Sequence, residues 1–306
     1  MAIQILLSTY NGEQHIAAQI ESILAQSYKD FKLLIRDDGS EDNTIRYIEE
    51  YALKHKGRIE FLKGDNVGVK KSFFELLQRA DPNASYYSFC DQDDVWLEDK
   101  LLKAVMKLEL EEDSQPLLYF TPTYLTDHNL NKIKVWPEPA PVKPSFYNAL
   151  AENIVVGSTA IINHKARELL LQKKVQFQNI IMHDWWAYLC ISAFGKIIYV
   201  DQPSVLYRQH QGNLIGGNKN WIQLLQRKWN SYRANESTRV LYRQAKEFMD
   251  CYGEELNGEK KRELELFIFP RINFPSRLRY LLKSNLYRNS FSENLLFKFL
   301  ILKGYI

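Results

Sequence analysis

The sequence has few cysteines and no long apolar run. Its three cysteines, Cys90, Cys190 and Cys251, are far apart and form no CxxC pair, so neither a disulfide framework nor a zinc site is expected, and a reducing cytoplasm is favoured. Met1 leads directly into an apolar segment without a basic region or a cleavage site, which predicts a first strand and not a signal peptide. No apolar stretch approaches the roughly 18 residues that a membrane-spanning helix needs.

Glycine-rich nucleotide-binding motifs are absent as well. Neither GxxxxGKS/T nor GxGxxG occurs, which excludes P-loop and dinucleotide-binding proteins. The segment "STYNG" follows the first predicted strand, in place of the glycine-rich loop that a nucleotidyltransferase would be expected to have. Nucleic acid is not an expected partner.

Positive charge is concentrated towards the end of the chain. From Lys219 onwards there are 17 Lys and Arg against 9 Asp and Glu, a net charge of +8, whereas the net charge of the whole chain is only +3. A basic segment rich in Phe, Leu and Tyr can lie on an anionic membrane surface. The alternative is a helical subdomain that packs on the core and turns a basic face to solvent.

Short β-rich runs alternate with segments of helical period over the first 121 residues. This pattern predicts an α/β fold with a mostly parallel central sheet and flanking helices. The predicted strands are Ile3–Leu7, Phe31–Ile35, Ile59–Leu62, Tyr86–Cys90 and Leu117–Thr121, and the predicted helices lie near 14–27, 42–55, 69–80 and 98–111. Further along, we expect a proline-rich loop at 135–146, a strand at Ile154–Asn163, a helix at Asp184–Phe194, and mostly helices from Asn218.

Three carboxylates follow the fourth predicted strand within four positions. Asp91, Asp93 and Asp94 repel one another, and a divalent cation relieves that repulsion most directly. Hard oxygen ligands suit Mg²⁺ or Mn²⁺, which can hold the phosphates of a nucleotide at the same time. The alternative is a solvated acidic turn in which Asp94 caps the following helix.

Polar segments also follow the neighbouring strands. The carboxyl ends of parallel strands share one edge of the sheet, which is where such folds bind ligands. A carboxylate of the pair Asp37-Asp38 can accept the N3–H of a pyrimidine, and Lys70 and Lys71 can meet phosphate at the start of a helix. Taken singly, each segment also reads as a turn, a surface aromatic or a solvated charge.

Four segments resemble the family 2 glycosyltransferases of GT-A fold: "LLSTYNGEQHIAAQIESILAQSY", "LLIRDDGSEDNT", "NVGVKKSF" and "FCDQDDVWLEDKL". The later segment "MHDWWAYLCISAFGKIIYVDQPSVLYRQHQGN" is similar to the bacterial rhamnosyltransferase branch that builds cell-wall and capsular polysaccharides. The resemblance covers residues 1–217, as a nucleotide-sugar-binding half (1–121) and an acceptor and base half (122–217). Residues 218–306 match only in kind, as a helical and basic appendage.

The resemblance implies a role for each matched position. Asp184 of "HDWW" is the implied catalytic base, although an N-cap for the following helix is the alternative. The implied nucleotide-sugar contacts are Ser8, Thr9, Tyr10, Asn11, Asp37, Asp38, Asn66, Lys71, Asp91 and Gln92; the implied metal ligands are Asp91, Asp93 and His210; the expected acceptor contacts are Gly157, Ser158, Trp185 and Trp186. A strand with a bulge also explains Gly157 and Ser158, the tryptophans also fit a core, and His210 also fits an exposed surface.

These expectations combine into one reaction. The resemblance implies an inverting, metal-dependent enzyme that uses Mn²⁺ or Mg²⁺ and moves L-rhamnose from dTDP-L-rhamnose to a hydroxyl of a lipid-linked polysaccharide intermediate. It would work in the cytoplasm, as a peripheral protein at the inner face of the plasma membrane. The alternatives are the same transfer from UDP-galactose or UDP-glucose and, more remotely, a non-catalytic nucleotide-sugar binding module.

Overall fold

The computed structural model describes residues 2–137, 143–208 and 240–306, which fall into two compact units. The first unit comprises Met1–Pro139, Ile154–Gln172 and Met182–Gly212, and the second comprises Ala140–Asn153, Lys173–Ile181 and Asn213–Ile306. The predicted boundary between residues 217 and 218 lies outside the described residues, so the predicted division into domains stays a prediction.

The first unit holds the strands and most of the helices that follow them. Its strands are β1 (Ile3–Thr9), β2 (Phe31–Asp37), β3 (Ile59–Lys63), β4 (Tyr86–Cys90), β5 (Val95–Trp96), β6 (Leu117–Phe120), β7 (Thr123–Thr126), β8 (Lys132–Trp136), β9 (Ile161–Asn163), β10 (Lys196–Tyr199) and β11 (Val205–Arg208). Helices α1 (Ile16–Leu24), α2 (Thr44–Lys54), α3 (Val69–Arg79) and α4 (Lys100–Leu108) come first; α5 (Phe146–Ala149) belongs to the second unit; α6 (His164–Gln172) and α7 (His183–Phe194) complete the first.

The central sheet confirms the predicted α/β class. Its order in the described chain is β10-β6-β9-β4-β1-β2-β3, and every pairing is parallel except those of β9. Every side chain of β4 is buried, and so are all but one of β1, because the helices cover both faces of the sheet. The chain runs from β1 outwards to β3 and then returns to place β4 on the other side of β1. This reversal makes the gap between β1 and β4 a topological switch point, where open α/β sheets bind ligands.

A smaller sheet has the strand order β5-β11-β7-β8. Its strand β5 follows shortly after the end of β4 in the sequence. Strand β5 pairs antiparallel with β11, which sets Val205 opposite Trp96 and Leu206 opposite Val95. The acidic segment that precedes β5 is therefore held next to the strand that leads to His210.

The prediction of one strand over Ile154–Asn163 was wrong for most of that range. Only Ile161–Asn163 is a strand, and a 3₁₀ turn covers Gly157–Thr159. The N–H and the hydroxyl of Thr159 both donate to the carbonyl oxygen of Val156, at 2.9 and 2.8 Å. These local bonds replace the sheet ladder, so the alternative of a bulged strand is also wrong.

The proline-rich segment is not a loop throughout 135–146. Strand β8 extends to Trp136 and helix α5 starts at Phe146, while residues 138–142 lie outside the described part of the chain. The four helices and five strands expected in the first 121 residues are present within about three residues of their predicted ends.

The second unit is helical as far as the structure describes it. Besides α5 it contains α8 (Val240–Tyr252), α9 (Gly258–Ile268), α10 (Phe274–Lys283) and α11 (Phe291–Lys303). The ring of Phe248 packs between those of Phe146 and Tyr252, at centroid distances of 5.6 and 5.4 Å. Among the described residues, no helix has both the length and the apolar character needed to cross a bilayer.

Candidate active site

The ends of β1 and β4 are joined by side chains at the switch point. Gln92, two residues past β4, accepts hydrogen bonds at Oε1 from the Thr9 hydroxyl at 2.6 Å and from the Tyr10 N–H at 2.8 Å. Its Nε2 donates to the Tyr10 carbonyl at 3.1 Å. A Cβ at Gly12 would lie 2.4 Å from Gln92 Oε1, so a larger residue there would displace the Gln92 amide from this position. Gln92 therefore fixes the backbone that carries the exposed ring of Tyr10.

The loop after β2 is organised by Asp37. Its Oδ1 accepts from the N–H groups of Gly39 and Ser40 at 3.1 and 2.8 Å, and its Oδ2 accepts from the Ser40 hydroxyl. Gly39 has a φ of +83°, and a Cβ there would lie 3.1 Å from the backbone nitrogen of Asn66. Glycine thus lets the β2 loop pack against Asn66. The Ser40 hydroxyl accepts from the N–H of Asn11 at 2.8 Å, which ties this loop to β1.

Asp38 is held by a buried arginine that sequence reasoning missed. Arg36 donates to Asp38 Oδ1, to Glu75 Oε2 at 2.7 Å and to the Ser72 hydroxyl at 3.1 Å. Asp38 also accepts from the N–H groups of Val67 and Gly68, at 2.9 and 2.8 Å. Its carboxylate therefore shapes the loop that leads into α3.

Two further predicted donor contacts, one on β1 and one on α3, are connected to this helix. The Ser8 hydroxyl lies 2.6 Å from that of Ser72 on α3. Lys71, one residue earlier, is exposed, with Nζ at 3.7 Å from Glu75. The structure therefore connects Ser8 and Lys71 to the same helix, and Asn66 precedes that helix as an exposed loop residue.

The acidic residues of two distant segments lie close together. Burial, and after it the charges of Asp93 and Asp184, raise the pKa of the Asp91 carboxyl to about 7. Burial first, then Asp91, Asp94, Asp93 and Asp184, also raise the pKa of Tyr207 on β11. Tyr207, which sequence reasoning missed, therefore lies near all four carboxylates.

Asp94 is neither solvated nor a helix cap, so that alternative was wrong. It is 1% exposed, and the N-cap of α4 is Asp99. The N–H of Arg208 donates to Asp94 Oδ1 at 3.3 Å, and the guanidinium of Arg208 donates to the Asp93 carbonyl at 3.1 Å. Burial raises the pKa of Asp94 well above its usual range. The Ser158 hydroxyl is near enough to lower that pKa, but it lacks hydrogen-bond geometry in the described chain.

Asp184 lies in the first turn of α7 and does not cap it. The N-cap is Met182, so the capping alternative was wrong here too. Asp184 is buried, and its Oδ1 accepts from the N–H of Trp185 at 2.7 Å. A Cβ at Gly157 would lie 3.4 Å from Asp184 Oδ2 and 3.4 Å from His183 Nε2, so the two side chains flank the bare backbone of Gly157.

His183 is a second residue that sequence reasoning missed. Its ring stacks on Phe73 at a centroid distance of 3.8 Å and meets the edge of Phe89 at 5.2 Å. Neither ring nitrogen has a hydrogen-bond partner among the described residues. Burial lowers the pKa of His183 to about 3, so the imidazole beside Asp184 is neutral.

The expected acceptor contacts differ in their exposure. Gly157 and Ser158 are buried, Trp185 is half-buried, and Trp186 is 0% exposed. The ring of Trp186 is thus a core ring with no face open to solvent. Its predicted contact with an acceptor sugar stays a prediction, which this burial does not favour.

The residues of the acidic cluster, Asp91, Asp93, Asp94 and Asp184, are chemically suited to a divalent cation. Asp91 and Asp93 offer hard oxygen ligands in a place where burial, and after it the neighbouring carboxylates, raise the pKa of the Asp91 carboxyl. The third predicted ligand, His210, lies outside the described residues. Within the described chain, no three acidic, histidine or cysteine side chains form a ligand cluster. The described residues thus supply two of the three predicted ligands.

Several proteins of known sequence or structure are similar to this chain. The chain is 29% identical over 243 residues to dTDP-rhamnosyl transferase RfbG of Shigella flexneri, covering 73% of this chain and 80% of that protein. The structure of S. aureus TarS 1–349 matches with a TM-score of 0.57 and 17% identity, over 88% of this chain and 70% of that one.

A third match is the mannosyltransferase PcManGT of Pyrobaculum calidifontis, solved in complex with GDP-Man and Mn²⁺. It gives a TM-score of 0.50 and 13% identity, over 98% of this chain and 86% of that one. The family model for glycosyl transferase family 2 matches residues 4–170, which is more than half of the chain. With its GT-A architecture, this chain is therefore a glycosyltransferase and belongs to glycosyl transferase family 2.

Proposed function

We propose that the protein transfers L-rhamnose, with inversion, from dTDP-L-rhamnose to a hydroxyl of a lipid-linked polysaccharide intermediate at the cytoplasmic membrane face. The observation that carries this proposal is the meeting of Asp91, Asp93 and Asp184, from segments 91 residues apart, beside the switch point of the sheet. The similarity to a dTDP-rhamnosyl transferase supports the choice of donor.

The base and ribose of the donor would bind along the ends of β1 and β2. Tyr10 presents an exposed ring on a backbone that Gln92 fixes, and such a ring can stack on a base. Around this position lie Thr9 and Asn11 at the end of β1, Asp37 and Asp38 at the end of β2, and Asn66, against which the β2 loop packs. Hydrogen bonds from Thr9 to Gln92, from the Asn11 N–H to Ser40, and from the Gly39 and Val67 N–H groups to Asp37 and Asp38 hold these loops, so they supply a preformed pocket wall.

Asp184 would act as the general base. The acceptor oxygen attacks the anomeric carbon, its proton passes to a carboxylate oxygen of Asp184, and the bond from the anomeric carbon to the diphosphate oxygen breaks. The Trp185 N–H bonds Oδ1, and we assign the proton to Oδ2, which faces Gly157. A single base opposite the leaving group gives inversion.

Asp91 and Asp93, with His210 as the third predicted ligand, would hold Mn²⁺ or Mg²⁺. The Mn²⁺ complex of PcManGT supports this assignment. When bound, the ion supplies positive charge that stabilises the diphosphate leaving group. Gly157, Ser158 and Trp185 would face the acceptor, because they lie beside Asp184.

A panel of sugar nucleotides tests the proposal. The full chain is incubated with Mn²⁺ or Mg²⁺ and with dTDP-rhamnose, UDP-galactose, UDP-glucose or UDP-GlcNAc, with and without an undecaprenyl-diphosphate glycan acceptor. Release of the nucleoside diphosphate is then measured. We expect acceptor-dependent release from dTDP-rhamnose. Turnover of a uridine donor alone would identify that donor instead, and binding of nucleotide without turnover of any donor would indicate a binding module.

A further inference from the structure

Large apolar side chains are exposed together in the last part of the second unit. Eight of them between residues 269 and 299 are 42% to 85% exposed: Phe269, Ile272, Phe274, Leu278, Leu282, Phe291, Leu295 and Phe299. A water-facing surface of this kind marks an interaction site when it is continuous. Helices α10 and α11 carry six of the eight.

On α10 the exposed apolar residues form one stripe. Phe274, Leu278 and Leu282 are spaced four residues apart, so they lie within about 80° around the helix axis. The buried residue of this helix, Tyr280, lies on the opposite side. The stripe therefore faces away from the side on which α10 packs.

Helix α11 repeats the arrangement. Phe291, Leu295 and Phe299 have the same spacing and are exposed, while Phe297, Leu300 and Ile301 are buried. The two helices pack against each other, and the guanidinium of Arg277 on α10 donates to the carbonyl of Leu302 on α11 at 3.3 Å. Two stripes of the same design thus belong to one helical pair.

Exposed cations lie on both helices. Arg279 and Lys283 on α10, and Lys298 and Lys303 on α11, are all exposed. Residues 269–306 contain seven Lys and Arg against one Glu, a net charge of +6. An apolar stripe with basic flanks is the pattern of a helix that lies in the surface of an anionic bilayer.

We propose that the α10–α11 pair docks on an anionic lipid surface, inserting the two apolar stripes among the acyl chains while the flanking cations bind lipid phosphates. This inference deepens the proposed membrane location and rests on that part of the proposed function. A symmetric dimer through the same face is disfavoured, because two-fold symmetry would bring one +6 segment against another.

A third helix provides the matched control. Helix α4 exposes Leu102 and Met106, and Leu110 is exposed two residues past its end, at the same spacing of four residues. Exposed Lys103 and Lys107 lie beside this stripe, but Glu109, Glu111, Glu112 and Asp113 at the end of the helix outnumber them, so the stripe lacks a net cationic flank. It matches the proposed surface in apolar pattern and differs from it in charge.

Co-sedimentation of the full chain with vesicles tests the proposal. The vesicles are phosphatidylcholine alone or phosphatidylcholine with 30% phosphatidylglycerol, in low and high salt, a composition chosen to give an anionic surface. The first variant is L278S/L282S/L295S/F299S, the second replaces Arg279, Lys283, Lys298 and Lys303 by Gln, and the control is L102S/M106S/L110S. We expect each of the first two variants to lower the fraction bound to anionic vesicles at least tenfold, and the control to bind like the wild type.

Several results would overturn the inference. These are wild-type binding no stronger to anionic than to neutral vesicles, an equal loss in the α4 control, or a wild-type dimer that the first variant dissociates in light scattering. Affinity for a nucleoside diphosphate with Mn²⁺ is measured on each variant, and we expect no change because the altered side chains are exposed. Loss of vesicle binding with nucleotide affinity retained would support the docking surface even if every donor in the panel failed.

Discussion

The side-chain oxygen of Gln92 accepts a hydrogen bond from the Thr9 hydroxyl at 2.6 Å, across 83 residues of sequence. The same oxygen accepts from the N–H of Tyr10, so the strand that carries the expected donor contacts is fastened to the acidic segment. We therefore propose that Gln92 is a positioning residue for the proposed donor pocket.

We expect Gln92→Ala to raise the KM for the sugar nucleotide about tenfold, because it removes three hydrogen bonds that each contribute about 0.5–1.5 kcal/mol. Steady-state kinetics at saturating acceptor measure the effect. Gln92→Glu keeps the acceptor oxygen and should retain more of the affinity. The exposed Gln202→Ala is the control, and an unchanged KM in Gln92→Ala would refute the positioning role.

Replacement of the proposed base should separate binding from turnover. We expect Asp184→Asn to lower kcat by about 10²–10⁴-fold, because the amide cannot take the proton of the acceptor. Its Oδ1 can still accept from the Trp185 N–H, so the first turn of α7 is kept. Calorimetry with the nucleoside diphosphate should give an unchanged Kd. A variant that retains most of its kcat would show that another group is the base, and exposed Asp201→Asn controls for charge.

Metal removal should affect the donor and not the fold. Chelation by EDTA removes the proposed cation, and Asp93→Asn removes one of its proposed carboxylate ligands. Each should weaken binding of the nucleoside diphosphate at least tenfold. Calorimetric titration with and without Mn²⁺ measures this, with the exposed Asp113→Asn as control. Equal affinities with and without Mn²⁺ in the wild type would remove the metal from the proposal.

Sequence patterns predicted the sheet and the edge at which the site lies. The β strands of the first 121 residues are buried runs bounded by polar turns, so their ends could be read directly, and parallel order then placed Asp37 and Asp91 at one edge. Asp184 was assigned to the same site from the family resemblance and not from the pattern of strands and turns. Its proximity to Asp91 comes from tertiary packing over 93 residues of sequence.

Other features could not be predicted from the sequence, because they depend on tertiary packing or on local hydrogen bonds that compete with strand pairing. The 3₁₀ turn at Gly157–Thr159 forms because Thr159 bonds to Val156 where a β-rich pattern indicates a strand. The sequence alone does not distinguish Arg36 from a surface arginine. Its role depends on the salt bridge with Asp38, which only the folded structure reveals. His183 is polar by type, yet it is buried against Phe73.

His183 should make the protein sensitive to acid. Its pKa is lowered to about 3 in the folded protein from an ordinary value of 6.5, so below pH 6.5 the unfolded chain binds a proton that the folded protein does not. Protonation of His183 therefore leaves the free energy of unfolding unchanged above pH 6.5 and lowers it as the pH drops towards 3. We expect His183→Phe, whose ring can also stack on Phe73, to be about 2 kcal/mol less destabilised than the wild type between pH 7 and pH 4.5. Denaturant unfolding at both pH values measures the difference, and parallel losses would contradict it.

Lys100 should make stability depend on pH in the same direction as His183 does, but in a higher pH range. It is 1% exposed, its Nζ donates to the Ser88 hydroxyl at 3.0 Å, and it lies 3.5 Å from the centroid of the Trp96 ring. Burial lowers its pKa from 10.5 to about 7, against the opposing charges of Cys90 and Asp94. Between those two pH values the unfolded chain binds more protons than the folded protein, so the Lys100 contribution to stability rises with pH.

Lys100→Met should therefore stabilise the protein by about 1–4 kcal/mol at pH 6, because the apolar stem is kept and the desolvated charge is removed. The advantage over the wild type should shrink as the pH rises towards 10, where the wild-type lysine is neutral when folded and its unfolded form is losing its proton. Thermal unfolding of both proteins at pH 6 and 9.5 measures the two differences, and Lys103→Met on the exposed side of α4 is the control. If Lys100→Met is instead less stable at pH 6, the ammonium stabilises the acidic cluster by more than its burial costs, and Lys100 is then a counter-charge that the carboxylates need.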